Sequence, residues 1–389
     1  MTTGLVLPPP PPSPSSQMAI AAGPFAALGL AAASTATSPA GLEADEWDAL
    51  LARLTDEHLA GIVLDGADRG LVSLRDDQHE ALLAVHEAAM VATLRLESFL
   101  LVVRNLLGER GLDMRVLKGP SCAHLDYEQP ELRAFTDIDV LVRGEQFDAV
   151  AACLSAAGMQ RRFDEPRPGF TARFGKGVCF TAANGLELDV HRALTAGPFG
   201  LGDASALWRR SDSFVLAGSS VECLAREERA VAAAVHACLG STAPRLVPLR
   251  DVAQILSQEV DIDRVISVSD ELGVRSVLAR AILLARATLA LDAPLAGEAW
   301  ALGYRPTRRE RQLLHAYITD DRSYAGQMLA GARAVKGLGA RVEYVRALAL
   351  PNRDYLDDRE HRYGTRARRA ARLITGRSRG AQRRQDGTP

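Results

Sequence analysis

Two aspartates one residue apart, Asp137 and Asp139, head the apolar run Ile138, Val140, Leu141 and Val142. On a strand, residues two apart share a face, so the two carboxylates converge while Ile138, Val140 and Val142 point the other way. Clustered carboxylates repel one another and cost stability unless a cation neutralises them. A third acid follows in Leu186–His191, where Glu187, Asp189 and His191 alternate with Leu186, Leu188 and Val190. This arm and Val178–Ala183 flank Asn184-Gly185, which predicts a hairpin closed by a two-residue type I′ turn. Asp189 then sits on a strand that could lie beside the first pair. Three such acids suit two divalent cations, roughly 4 Å apart, that hold a triphosphate and an attacking hydroxyl for in-line displacement. Mg²⁺ is the expected ion, because it takes carboxylate oxygens and little else from a protein.

Upstream lies Leu117-Lys118-Gly119-Pro120-Ser121. Backbone N–H groups after a glycine turn can receive phosphate oxygens. Lysine occurs only at 118, 176 and 336 among 46 Lys+Arg, so Lys118 stands out against the arginine expected there. It reads as a phosphate or substrate contact, or as a lysine snorkelling at the surface. Arg133 reads as a loop ion-pair residue or as a partner for phosphate or the acids. His191 shares the face of Asp189 and either orients an acid, touches substrate or is structural. His236, on an Ala/Val-rich run, reads as a core histidine, and Asp251 beside Arg250 as a local pair.

Leu117–Gly119, the spacing from Arg133 to Asp137-Ile138-Asp139 with its following Leu141-Val142, the later Glu187–His191 and a long preceding helix form a recognisable set. Together they resemble the family described as uncharacterised nucleotidyltransferases, within the polymerase-beta-type superfamily, over about residues 45–360. The resemblance implies that Asp137, Asp139 and Asp189 hold the metals and that Asp189 helps the acceptor hydroxyl lose its proton. It implies a phosphate turn at Gly119 and Ser121, with Pro120 as a departure. NTP and a hydroxyl-bearing acceptor are the implied partners, and a non-catalytic binding or regulatory protein on the same fold is the alternative.

The elements that would position these residues make an α+β chain: a small mixed sheet over residues 108–215 with helical regions on either side. Leu50, Leu51 and Leu54 fit a short amphipathic helix in the N-terminal region, 42–107. Gln78–Leu107 fits a long one that stops at Gly108. Phe147–Ala157 predicts another helix and Met159–Phe163 a strand. From about Ser220 to 350 the pattern is helical. Residues 1–41 are Pro-, Ala- and Ser-rich and read as a disordered leader, and 351–389 as an arginine-rich tail.

A chain of 389 residues, 47% hydrophobic and 24% charged, is long enough for two or three packed units. A net charge of -2 gives no global case for nucleic acid or membrane. Only the basic tail keeps RNA binding open as a subsidiary expectation. Five cysteines without a CxxC pair fit a reduced, cytoplasmic compartment.

Overall fold

The computed structural model describes residues 39–352 and 355, apart from 203, 242–244, 290, 292 and 319–323. Most of the leader and of the basic tail lies outside the described residues. So does the expectation attached to that tail.

Two short helices open the chain, α1 (Ala44–Asp56) and α2 (Ala60–Asp68). They lead into α3 (Asp76–Gly108), whose start carries Asp76 and Asp77 where the helix dipole favours acids. At one end α3 buries Leu82 with Trp47, Leu50, Leu54 and Ile62. At the other, Leu96, Leu100, Val103 and Leu107 pack under the sheet against Val116, Ile138, Val140 and Val142. One helix therefore braces two cores.

The sheet runs β3-β4-β5-β2-β1-β7-β6. Its central strand is β2 (Ile138–Val142), antiparallel to β1 (Met114–Val116) on one side and parallel to β5 (Glu187–His191) on the other. Between β1 and β2 lies a short helix, α4 (Pro120–Asp126). After β2 come α5 (Phe147–Ala156), β3 (Gln160–Arg161), α6 (Phe170–Phe174) and β4 (Gly177–Thr181).

The expected sheet boundary at residue 215 falls short. A second hairpin, β6 (Ser211–Leu216) and β7 (Ser219–Leu224), completes the sheet, with β7 parallel to β1. Phe214, Leu216, Val221, Cys223 and Leu224 are its buried residues. Ala217 and Gly218 both have positive φ, as a type I′ turn requires. The other hairpin departs from its prediction. Only Gly185 of the Asn184-Gly185 pair has positive φ, Gly185 N donates to Ala182 O, and Ala182 N to Leu186 O. That is a three-residue loop, a type I turn followed by a left-handed glycine. Asn184 keeps a negative φ while its Oδ1 accepts from Leu186 N.

The helices after the sheet are α7 (Arg226–Leu239), α8 (Leu246–Leu256), α9 (Ile262–Glu271) and α10 (Arg275–Thr288). They are followed by α11 (Glu298–Gly303), α12 (Arg308–Ile318), α13 (Tyr324–Ala334) and α14 (Leu338–Ala349). α7 and α8 are buried almost throughout and form a wall facing the acid-bearing edge of β2 and β5. None of the described helices is long and apolar enough to cross a membrane.

Candidate active site

The parallel register of β2 and β5 places Asp139 directly beside Asp189. His191, two residues on, shares that face, and its Nε2–H donates to Asp139 Oδ1 at 2.7 Å. Ligand atoms of Asp139, Asp189 and His191 all lie within 4.8 Å of one another. Asp137 is not in this cluster. It precedes β2, which begins at Ile138, and its side chain is 39% exposed, against 3% for Asp139.

Lys118 joins the two acids that flank Ile138. Antiparallel pairing sets Val116 opposite Val140, and Leu117 N donates to Asp139 O. Lys118 therefore leaves β1 between Asp137 and Asp139, with Nζ 2.5 Å from Asp139 Oδ2 and 3.5 Å from Asp137 Oδ1. Burial opposes a charge on Asp139, but Lys118 and the His191 hydrogen bond outweigh it and hold the carboxyl far below its ordinary range. Burial likewise opposes the Lys118 charge, and Asp139 and Asp137 overcome it, so the ammonium persists. Asp137 is pushed up by burial and then by the Asp139 charge.

Gly119 adopts φ 64°, and a Cβ there would lie 3.3 Å from Phe135 Cγ. The positive φ favours glycine, and the close Phe135 ring leaves a Cβ little room. Pro120 occupies the first position of α4, where its missing N–H costs no helix bond. It also offers no donor to a phosphate, and the Ser121 side chain is fully buried.

Two cavities open from this edge. The first, about 320 Å³, is lined by His58, Lys118, Gly119, Asp137, His236 and Arg245, among others. The second, about 250 Å³, is reached by Lys118, Asp139, Lys176 and His191. Lys118, His236 and Gly240 line both and separate them. Burial, and then the Lys118 charge, lower the pKa of His236 to about 3.

Arg133 also borders the first cavity, but each of its three side-chain nitrogens already donates a hydrogen bond. Nε and Nη2 donate to the two oxygens of Asp251, at 2.7 and 2.8 Å, and Nη1 to Ala134 O. Asp251 thus pairs across the chain instead of with its neighbour Arg250, which donates from Nε to the Tyr127 hydroxyl. Burial would keep Asp251 neutral, but Arg133 holds it ionised, and the Tyr127 hydroxyl donates to it at 2.8 Å. This buried set fixes the Arg133–Asp137 approach to β2 against α8.

Lys176 and His58 were not anticipated at the site. Lysine scarcity was the available signal for Lys176. For His58 the signal was its place just past α1, where glycine or asparagine is the usual residue.

A carboxylate and imidazole cluster at the mouth of a basic cleft defines a candidate metal-dependent phosphoryl- or nucleotidyl-transfer centre. The model of the family described as uncharacterised nucleotidyltransferase matches residues 43–290, and the chain belongs to that family. No curated protein matches the chain. Among solved structures, it is similar to an antigenic nucleotidyltransferase-like protein from Paracoccidioides brasiliensis. The identity is 15% and the TM-score 0.32, over 52% of this chain and 95% of the other.

Proposed function

We propose that the protein is a metal-dependent nucleotidyltransferase that moves an NMP from an NTP to an acceptor hydroxyl and releases pyrophosphate. The observation that carries this reading is the meeting of Asp139, Asp189 and His191 beside the Lys118 ammonium. The donor set fits a divalent ion. Carboxylate oxygens suit Mg²⁺ or Mn²⁺, and the buried Nδ1 of His191 has no hydrogen-bond partner among the described residues. Asp139, Asp189 and His191 would hold one ion, and Asp137 with Asp139 a second.

Such ions neutralise triphosphate charge and lower the pKa of the acceptor hydroxyl. The chain's own residues supply the rest. Lys118, Gly119 and Arg245 receive the triphosphate in the first cavity. Asp189 accepts the hydroxyl proton. The acceptor oxygen bonds to the α-phosphorus, the bond from that phosphorus to the bridging oxygen breaks, and pyrophosphate leaves with the electron pair. Arg133 positions the Asp137 turn through Asp251.

The test is calorimetry with Mn²⁺ and each NTP, paired with a pyrophosphate-release assay. Wild type should bind Mn²⁺-NTP and release pyrophosphate once an acceptor is supplied. Asp139→Asn and Asp189→Asn should abolish both. Nucleotide binding without pyrophosphate release across a broad acceptor panel would favour a non-catalytic nucleotide-binding protein, and no metal-dependent nucleotide binding would sink both readings.

A further inference from the structure

The second cavity differs in chemistry from the first. Besides the polar groups Lys118, Lys176, Thr195 and His236, it carries an apolar wall of Leu117, Leu194, Val235, Leu239 and the Tyr317 ring. Its volume of about 250 Å³ lies just below the usual range for small-molecule pockets, roughly 300–1,000 Å³, so its occupant is compact. It meets the acids at Asp139 and His191, on the side of Lys118 away from the Gly119 turn and Arg245.

One cation faces this space without a counter-ion. The Lys176 ammonium makes no hydrogen bond or ion pair with the described residues, whereas Lys118 is bound to two carboxylates. Burial lowers the Lys176 pKa, and Asp139 and Asp189 are too remote to form a direct pair. A partly desolvated, unpaired ammonium is costly, and an anionic ligand group would relieve the cost. The position is also rigid. Lys176 O accepts from Arg192 N and Ala193 N, at 2.9 and 3.2 Å, just past β5. At the next residue, Gly177, a Cβ would fall 2.1 Å from Val190 O, so the backbone is pressed against β5. A long side chain on so fixed a root is preorganised for a ligand.

We propose that this cavity is the acceptor subsite and that it selects a compact hydroxy acid. The acid's carboxylate sits on Lys176, its apolar body lies against Leu194, Val235 and Leu239, and its hydroxyl turns toward Asp139 and His191. The proposal deepens the nucleotidyltransferase reading and rests on it for the hydroxyl's fate, but not for binding.

The experiment is a calorimetric comparison on the full chain with Mn²⁺ present. The probes are lactate, 2-hydroxyisocaproate and 3-phenyllactate, each against its methyl ester. Wild type should bind at least one acid ten-fold or more tighter than its ester. Lys176→Met should erase that ratio and Lys176→Arg should restore most of it. Leu194→Trp, which fills the cavity, should lose acid and ester alike. Mn²⁺ binding retained in all three variants shows that the fold and the metal site are intact. Equal binding of acid and ester by wild type, no binding of either, or an unchanged ratio in Lys176→Met would each overturn the proposal. The two readings separate cleanly. Acid binding without any Mn²⁺-NTP binding removes the transferase reading and leaves this site standing, while the reverse pattern removes only this site.

Discussion

Lys118 and Asp139 form an ion pair in which Nζ lies 2.5 Å from Oδ2. The lysine lies between Asp137 and Asp139 and acts as a counter-ion to both. Lys118→Met leaves Asp139 buried and uncompensated on that side. Thermal melts in EDTA should show a loss of about 3–5 kcal/mol, and saturating Mn²⁺ should return most of it. Removing the competing charge should also tighten Mn²⁺ binding in the absence of nucleotide by about ten-fold. Nucleotide affinity should fall in the same variant. A variant that weakened metal and nucleotide together would show that Lys118 does not compete with metal.

The buried pair of Arg133 and Asp251 gives a second prediction. Arg133→Met strands a carboxylate, and Asp251→Leu strands a guanidinium. Each should cost about 3–5 kcal/mol in urea unfolding. The double variant should recover a large part of that loss, because both charges leave together. Additive losses would mean that the pair is not the dominant interaction of either residue.

His58 joins α1 to α2 with φ 51°. Leu59 N donates to Leu54 O and His58 N to Thr55 O, the pattern that ends a helix with a left-handed residue. Glycine is the favoured residue there, yet the chain places an imidazole, which borders the first cavity. His58→Gly should raise unfolding free energy by about 1 kcal/mol and lower nucleotide affinity. If stability rises while nucleotide affinity is unchanged, the imidazole has no part in that site.

The pH dependence of stability follows from His236. Its folded pKa is depressed to about 3, from an ordinary 6.5. Below pH 6.5 the unfolded chain takes up a proton that the folded chain refuses, so the unfolded state binds more protons there. His236 therefore contributes full stability above about pH 6.5 and loses it progressively toward pH 3. Between pH 7 and pH 5 this should cost wild type about 2 kcal/mol more than His236→Gln, read as the difference between their urea midpoints at the two pH values. Parallel pH profiles would exclude His236 as the source.

The strand positions of Asp139 and Asp189 and both arms of the first hairpin were legible because period-two alternation is a local signal, whereas Asp137 lies ahead of β2. Legible too was α3, whose apolar stripe runs from Leu82 to Leu107. The turn chemistry was not. Asn184-Gly185 has the composition of a two-residue turn and forms a three-residue one, while Ala217-Gly218 forms the two-residue turn with a poorer sequence for it. Local propensity yielded in both places to the register that the neighbouring strands impose. The pairing of Asp251 with Arg133 was hidden for another reason. Arg250 is adjacent in sequence, but on α8 successive residues point in different directions, and Asp251 meets the turn before β2 instead. Lys176 is a rare lysine, yet nothing local in the chain says that β4 begins beside His191 of β5.

The parallel pairing of β2 with β5 also governs when the site comes into being. Asp139 and His191 are 52 residues apart, and no tight turn can join parallel strands, so their meeting requires closure of a long loop. The β4–β5 hairpin closes over a three-residue loop and can form on its own. A refolding chain should therefore regain much of its helix and hairpin signal before it gains any affinity for metal. A growing chain carries only Asp139 of the cluster until Asp189 and His191 of β5 have been made. The three ligand groups therefore cannot meet on a nascent chain shorter than 191 residues.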